Sequence, residues 1–205
     1  IALAALSMSG RYERTPEVVE LALRTILRTF SDKGEEGDWD EGLIYLTYGT
    51  YAPCLLGRAL WMASGGEIDL FAHPFVKRIG DYVLHMTRPE GGAFNYSDCG
   101  AGDASIFAAV TSLTGLLAAH YRDPGYQWHA RTFGPPTAVE VLPQLDAELE
   151  PAPPDRPTAC HFYPTGVVTA RSDWSDHAVY VGFRNRGTAS RPHIMTAHQH
   201  GDVNA

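Results

Sequence analysis

The hydrophobic period of this chain changes once, and that change limits what it can fold into. Through residues 1–123 apolar side chains recur at helical spacing. Val19, Leu23, Ile26, Leu27 and Phe30 stand at i, i+4, i+7, i+8 and i+11, and Phe75, Ile79, Tyr82, Val83 and Met86 repeat the set. Ile106, Val110, Leu113 and Leu117 make a third stripe. Thr15-Pro16-Glu17 predicts a helix start, with the Thr15 hydroxyl as cap, Pro at the first position and an acid at the positive end of the dipole. Other helices are expected before Gly10, from Glu41 to Ser64, from about Asp69, and after Gly102-Asp103. After Thr158 the runs are β-rich: 166–171 and 177–183 flank a turn-like Ser172-Asp173-Trp174-Ser175-Asp176, and His193–Ala197 is a third run. Helices followed by antiparallel strands imply two layers or domains and disfavour an alternating α/β fold.

Residues 124–157 separate the two periods. Pro135-Pro136, Pro143, Pro151, Pro153-Pro154 and Pro157 argue against a regular helix or central strand through most of this stretch. A linker or extended crossing segment is expected, packed on a domain surface through Tyr126, Trp128, Phe133, Val141 and Leu142.

Composition narrows the function classes. The 205 residues are 44% apolar, enough for a sizeable core, and 16 Lys+Arg against 24 Asp+Glu leave a net charge of −8. That charge disfavours a nucleic-acid or membrane-surface partner. No apolar run approaches the roughly 18 residues of a membrane span. The chain opens without Met and without a basic region ahead of Ile1-Ala2-Leu3-Ala4-Ala5-Leu6, so we expect an interior fragment rather than a signal peptide. Cys54, Cys99 and Cys160 are too dispersed for a disulfide framework or zinc knuckle and are expected to be buried free thiols.

Two clusters carry chemistry. In His198-Gln199-His200-Gly201-Asp202 an extended strand turns His198, His200 and Asp202 to one face, a donor set suited to zinc or to a catalytic histidine beside a metal. The spacing leaves open a histidine-rich strand end with no metal, and His193 is expected to be a bystander. In Trp39-Asp40-Glu41-Gly42-Leu43-Ile44-Tyr45-Leu46-Thr47-Tyr48, Glu41, Tyr45 and Tyr48 fall at i, i+4 and i+7 on one helix face. They are either proton-transfer groups or an ordinary amphipathic edge with Glu41 serving the helix dipole. The loop Gly91–Asp98 offers Phe94 and Tyr96 as sugar-stacking rings or as parts of a structural turn. The acidic run from Asp32 to Asp40 lacks the spacing of a calcium loop.

These residues resemble the heparinase II/III-like polysaccharide lyases, which include the oligoalginate lyases. Trp39-Asp40-Glu41-Gly42 with Tyr45 and Tyr48 looks like the family's W-x-E-G-x-x-Y-x-x-Y motif, and Gly92–Asp98 like its G-x-F-x-x-x-D loop. His161-Phe162-Tyr163-Pro164-Thr165-Gly166 with Arg171 and Trp174 resembles its opening sandwich strands. His198–Asn204 resembles its H-x-H-x-D-x-N segment. The resemblance implies part of an (α/α) toroid (1–123), a Pro-rich linker (124–157) and the start of an antiparallel β-sandwich (158–205). It implies β-elimination on an anionic, uronic-acid-containing polysaccharide. Tyr45 and His198 would be the catalytic groups, Trp39, Glu41, Tyr48 and Tyr96 would bind substrate, and His200 would hold a structural zinc. A carboxylate-neutralising Asn or His would precede Ile1 and further zinc ligands would follow Ala205. A secreted or periplasmic setting is expected in preference to a cytoplasmic one. Two other readings use the same scaffold: a glycoside hydrolase with a carboxylate pair drawn from Asp40 or Glu41 and another acid, and a non-catalytic carbohydrate-binding protein.

Overall fold

The computed structural model describes residues 1–97, 99, 104–134, 146–185 and 202–204, with the backbone alone at 104–106 and 202–204. Among these residues helices come first and a small antiparallel sheet second, in the order the change of period predicts. The helices are α1 (Ala2–Ser7), α2 (Thr15–Lys33), α3 (Leu43–Ala63), α4 (Pro74–Met86), α5 (Ala104–Tyr121) and α6 (Pro124–Phe133). The strands are β1 (Ala159–Phe162), β2 (Val167–Arg171), β3 (Tyr180–Arg184) and β4 (Asp202–Asn204).

Helix α4 carries the centre of the core. Pro74 opens it, and the His73 ring accepts the Phe75 N–H at 3.2 Å, so one orphan donor is satisfied. Its predicted stripe of Phe75, Ile79, Tyr82, Val83 and Met86 is fully buried, each large side chain contributing about 1.5–3 kcal/mol. On α5, Val110, Leu113 and Leu117 are buried as expected, where the helix packs against α3 and α6. Helix α3 buries residues on several sides and continues through Pro53. Helix α2 departs from the expectation. Only Thr15 and Phe30 are buried along it, Leu27 is exposed, and it packs at the rim against α1 and α4. Nor does Thr15 cap it: Arg14 holds the cap position, and the Thr15 hydroxyl is shared between the carbonyls of Ala5 (3.1 Å) and Tyr12 (2.8 Å). That hydroxyl ties α1 to α2 instead.

The helical run extends ten residues into the stretch expected as linker. Pro124 is the first residue of α6, where its missing N–H costs nothing, and the Asp123 carboxylate accepts from Gly125 and Tyr126 at 2.8 and 3.0 Å. Beyond it the described residues from 146 to 158 lie along the helices. Gln127 donates to the carbonyls of Asp146 and Leu149, and Arg156 bridges Asp81 (2.8 Å) and Asp123 (2.5 Å).

The sheet runs in the order β1-β2-β3-β4, every pair antiparallel. The expected hairpin is present, with Val168 opposite Phe183 and Ala170 opposite Val181. Alternation is strict in β2 and β3. Val167, Thr169, Arg171, Tyr180, Gly182 and Arg184 face the helices, while Val168, Ala170, Val181 and Phe183 face outward. The inward face meets the C-terminal end of α4. Arg171 donates to the carbonyls of Leu84 (3.2 Å) and Thr87 (2.6 Å), Tyr180 donates to His85 O (2.9 Å), and Phe162 packs edge-on against Tyr82. A guanidinium on the last carbonyls of a helix satisfies orphan acceptors and complements the dipole.

Candidate functional site

The site grows from the loop between α2 and α3. Gly42 stands at φ +87°, a left-handed conformation, and a Cβ there would lie 2.7 Å from Cys99 Cβ. The chain therefore leaves the loop at Gly42 and enters the helix at Leu43. Glu41 precedes α3, which corrects the expectation that Glu41, Tyr45 and Tyr48 share one helix face. The buried Cys99 thiol takes the backbone N–H groups of Leu43 and Ile44, so a residue remote in sequence caps the helix that carries both tyrosines. Burial pushes that thiol above its usual range. Cys54 and Cys99 are buried free thiols, as expected, while Cys160 is half-buried.

Trp39 is buried. Its ring rests against Gly49 of α3, where a side chain would come within 2.7 Å, and the Lys33 ammonium lies 4.0 Å from the ring centroid. Its Nε1–H donates to Glu41 at 3.3 Å, a polar contact that joins two of the predicted site residues. Tyr45 is half-buried against the core. Tyr48 is exposed and meets it edge-to-face at 5.8 Å. The exposed Tyr163 N–H donates to Glu36 at 2.9 Å, which ties the β1–β2 connection to the same loop.

Tyr96 is not a surface ring. It is 2% exposed, and Phe94 beside it is buried too, so the structural-turn alternative holds for both. The Tyr96 hydroxyl donates to the Trp39 carbonyl at 2.6 Å and contacts the Tyr82 hydroxyl. Burial raises both phenols above their ordinary range, so they stay neutral and serve as scaffold. Neither is presented to a sugar.

Arg184 completes this scaffold, and sequence reading missed it. It is 2% exposed, its guanidinium donates to the Asp40 carbonyl at 3.2 Å, and it covers the Tyr96 ring at 4.4 Å. On β3 it stands opposite Asp202 of β4, the strand that directly follows His198-Gln199-His200-Gly201 in the sequence. His198, His200 and the run His193–Ala197 lie outside the described residues. Among the described residues no three His, Cys, Asp or Glu side chains are grouped as metal ligands.

Two buried histidines flank the sheet–helix seam. His85 meets Thr169 at 3.3 Å, and its imidazole is pushed down to about 4 by burial and then by Arg171. His129 lies between Thr87 (2.8 Å) and Thr114 (3.0 Å), pushed down to about 3 by the same two causes. Both are neutral packing groups at neutral pH. No helix among the described residues is long and apolar enough to cross a membrane. Compared with known proteins, this chain matches no family model and no curated protein.

Proposed function

We propose that this chain is part of a polysaccharide lyase that cleaves an anionic, uronic-acid-containing polysaccharide by β-elimination. The reading takes residues 1–123 as part of an (α/α) toroid, extended by α6, residues 124–157 as the crossing segment, and residues 158–205 as the start of a β-sandwich. The observation that carries it is the contact between Arg184 and Asp40, 144 residues apart. It joins the W-x-E-G loop to the strand whose neighbour continues the H-x-H-x-D-x-N segment. A half-buried Tyr45 beside an exposed Tyr48 adds to this support, because a proton donor there has access to solvent and to a ligand.

In this reading His198 takes the proton next to the uronate carboxylate, the C–H electron pair forms the C=C bond, and the glycosidic C–O bond breaks. Tyr45 delivers a proton to the leaving oxygen, and His198 stands near the sugar. Trp39, Glu41 and Tyr48 shape the sugar-binding edge, Trp39 from beneath. A zinc held through His200 would be structural, so no step runs through it.

The test is an ultraviolet assay of the full-length protein on a panel of uronate polymers. Elimination creates a C=C bond conjugated to the carboxylate, which absorbs where the substrate does not. Tyr45→Phe should lower turnover by about 10²-fold or more with saccharide binding retained. Reducing ends without the new absorbance would establish a hydrolase. Binding without product, unchanged in Tyr45→Phe, would establish a binding protein.

A further inference from the structure

We propose that Arg184 is a positioning residue that fixes the W-x-E-G loop, and through it the start of α3 with Tyr45, against the β-sheet. The functional half of this inference rests on the lyase reading above. The anchoring half does not.

The geometry is specific to a guanidinium. The Arg184 guanidinium carbon lies over the Tyr96 ring, 4.4 Å from its centroid, while one Nη donates to the Asp40 carbonyl at 3.2 Å. Tyr96 in turn donates to the carbonyl of Trp39, one residue earlier in the loop. Two consecutive loop carbonyls are thus held by one cation–π pair, with Arg184 arriving from β3 and Tyr96 from the loop after α4. Both side chains are 2% exposed, so water does not substitute for either bond. Asp40 is itself buried and pairs with Lys33 at 3.5 Å, which closes the loop on the α2 side.

Burying a guanidinium is costly, and the Arg184 Nε finds no hydrogen-bond acceptor among the described residues. An apolar side chain would fill the same place at lower desolvation cost. What it lacks is a bond that reads the height of the loop above the sheet. Gly42 follows Asp40 by two residues, and α3 begins directly after it, with Tyr45 in the first turn. A displacement of the Asp40 carbonyl therefore reaches Tyr45 through only a few peptide units. Because Arg184 also sits in the β3–β4 register opposite Asp202, one residue spans from the loop to the strand after the histidine segment. Lysine does not replace it, since an ammonium does not keep a planar donor aimed at the carbonyl.

The experiment compares wild type, Arg184→Met and Arg184→Lys in the full-length protein. It uses amide hydrogen exchange on peptides covering 38–44 and 167–171, and steady-state elimination kinetics on a uronate polymer. We expect exchange in 38–44 to rise about tenfold in both variants, as loss of one charged hydrogen bond implies, with 167–171 unchanged. We also expect kcat to fall about tenfold or more at near-constant KM, because the loop sets the acid's position more than it binds sugar. If Arg184→Met does not fold, Arg184→Lys alone carries the comparison. Unchanged exchange in 38–44 overturns the anchoring. Raised exchange with unchanged kcat overturns the positioning role. An inactive wild type overturns the lyase reading, while the exchange arm still decides the anchoring.

Discussion

Lowering the pH should destabilise this fold through His129, and the size follows from its surroundings. The ring is fully buried on α6, with Nε2 2.8 Å from the Thr87 hydroxyl and Nδ1 3.0 Å from that of Thr114. Thr87 gives its own proton to the Val83 carbonyl at 2.8 Å, so it accepts from the ring. The Thr114 hydroxyl lies 3.0 Å from both the other nitrogen and the Thr111 carbonyl, and its one proton serves either acceptor. A neutral imidazole fits this arrangement, whereas a charged one is desolvated and repelled by Arg171. The folded value of about 3 lies below the ordinary 6.5, so the contribution is fully present above pH 6.5 and is lost as pH falls toward 3. Between pH 7 and pH 5 linkage gives a loss of about 2 kcal/mol from this one group. Urea denaturation of wild type and His129→Gln at both pH values measures it. The variant is expected to be less stable at pH 7, but its drop from pH 7 to pH 5 should be smaller than wild type's by about 2 kcal/mol. Equal drops in the two proteins would falsify the claim that folding holds this ring neutral.

Three further outcomes are expected. Arg171→Met should cost about 2–4 kcal/mol in urea denaturation, because it strips the carbonyls of Leu84 and Thr87 of a buried charged donor. The Arg171→Met variant should also raise the His85 imidazole above its value of about 4, read by the chemical shift of its ring protons on titration. Cys99→Val should cost about 1–2 kcal/mol by leaving the Leu43 and Ile44 N–H groups without an acceptor, and Cys99→Ser should recover part of it. Equal stability of the valine and serine variants would remove the cap from the account.

What the sequence made legible was whatever repeats. The stripe on α4 is periodic and the structure buries the face it marks, whereas the stripe on α2 lies mostly at the rim, and β2 and β3 form as strands but turn their more polar face to the helices. Isolated signals were read less well. Pro124 counted as a breaker among prolines, yet with Asp123 before it and nine helical residues after it, it opens α6. Thr15 stood where a cap belongs, but its hydroxyl found two carbonyls across the α1–α2 junction. Glu41 fell outside α3 because Gly42 adopts a backbone conformation that spacing does not reveal. Tyr96 looked like a loop aromatic and is a core phenol, since its partner Trp39 lies 57 residues away. Arg184 and Cys99 gave no local signal at all. Each acts on a segment far along the chain, and such pairings appear only once the fold brings them together.

Consider the sheet from the standpoint of an error in pairing. The side turned toward the helices holds Thr169, Arg171, Tyr180, Gly182 and Arg184 beside Val167, while the side turned away holds Val168, Ala170, Val181 and Phe183. Sliding β2 and β3 by one position would exchange the two sides and place the greasier one on α4. On apolar area alone that slipped arrangement is the more favourable. What selects the observed one is directional: Arg171 and Tyr180 on the end of α4, and Arg184 on the loop before α3. The strands are keyed by where their donors point, much as a lock is keyed by the cut of its pins and not by how tightly it grips. Shortening one of those side chains therefore does more than remove a bond, for it also narrows the margin by which one frame of the sheet is preferred, while the remaining donors still hold it.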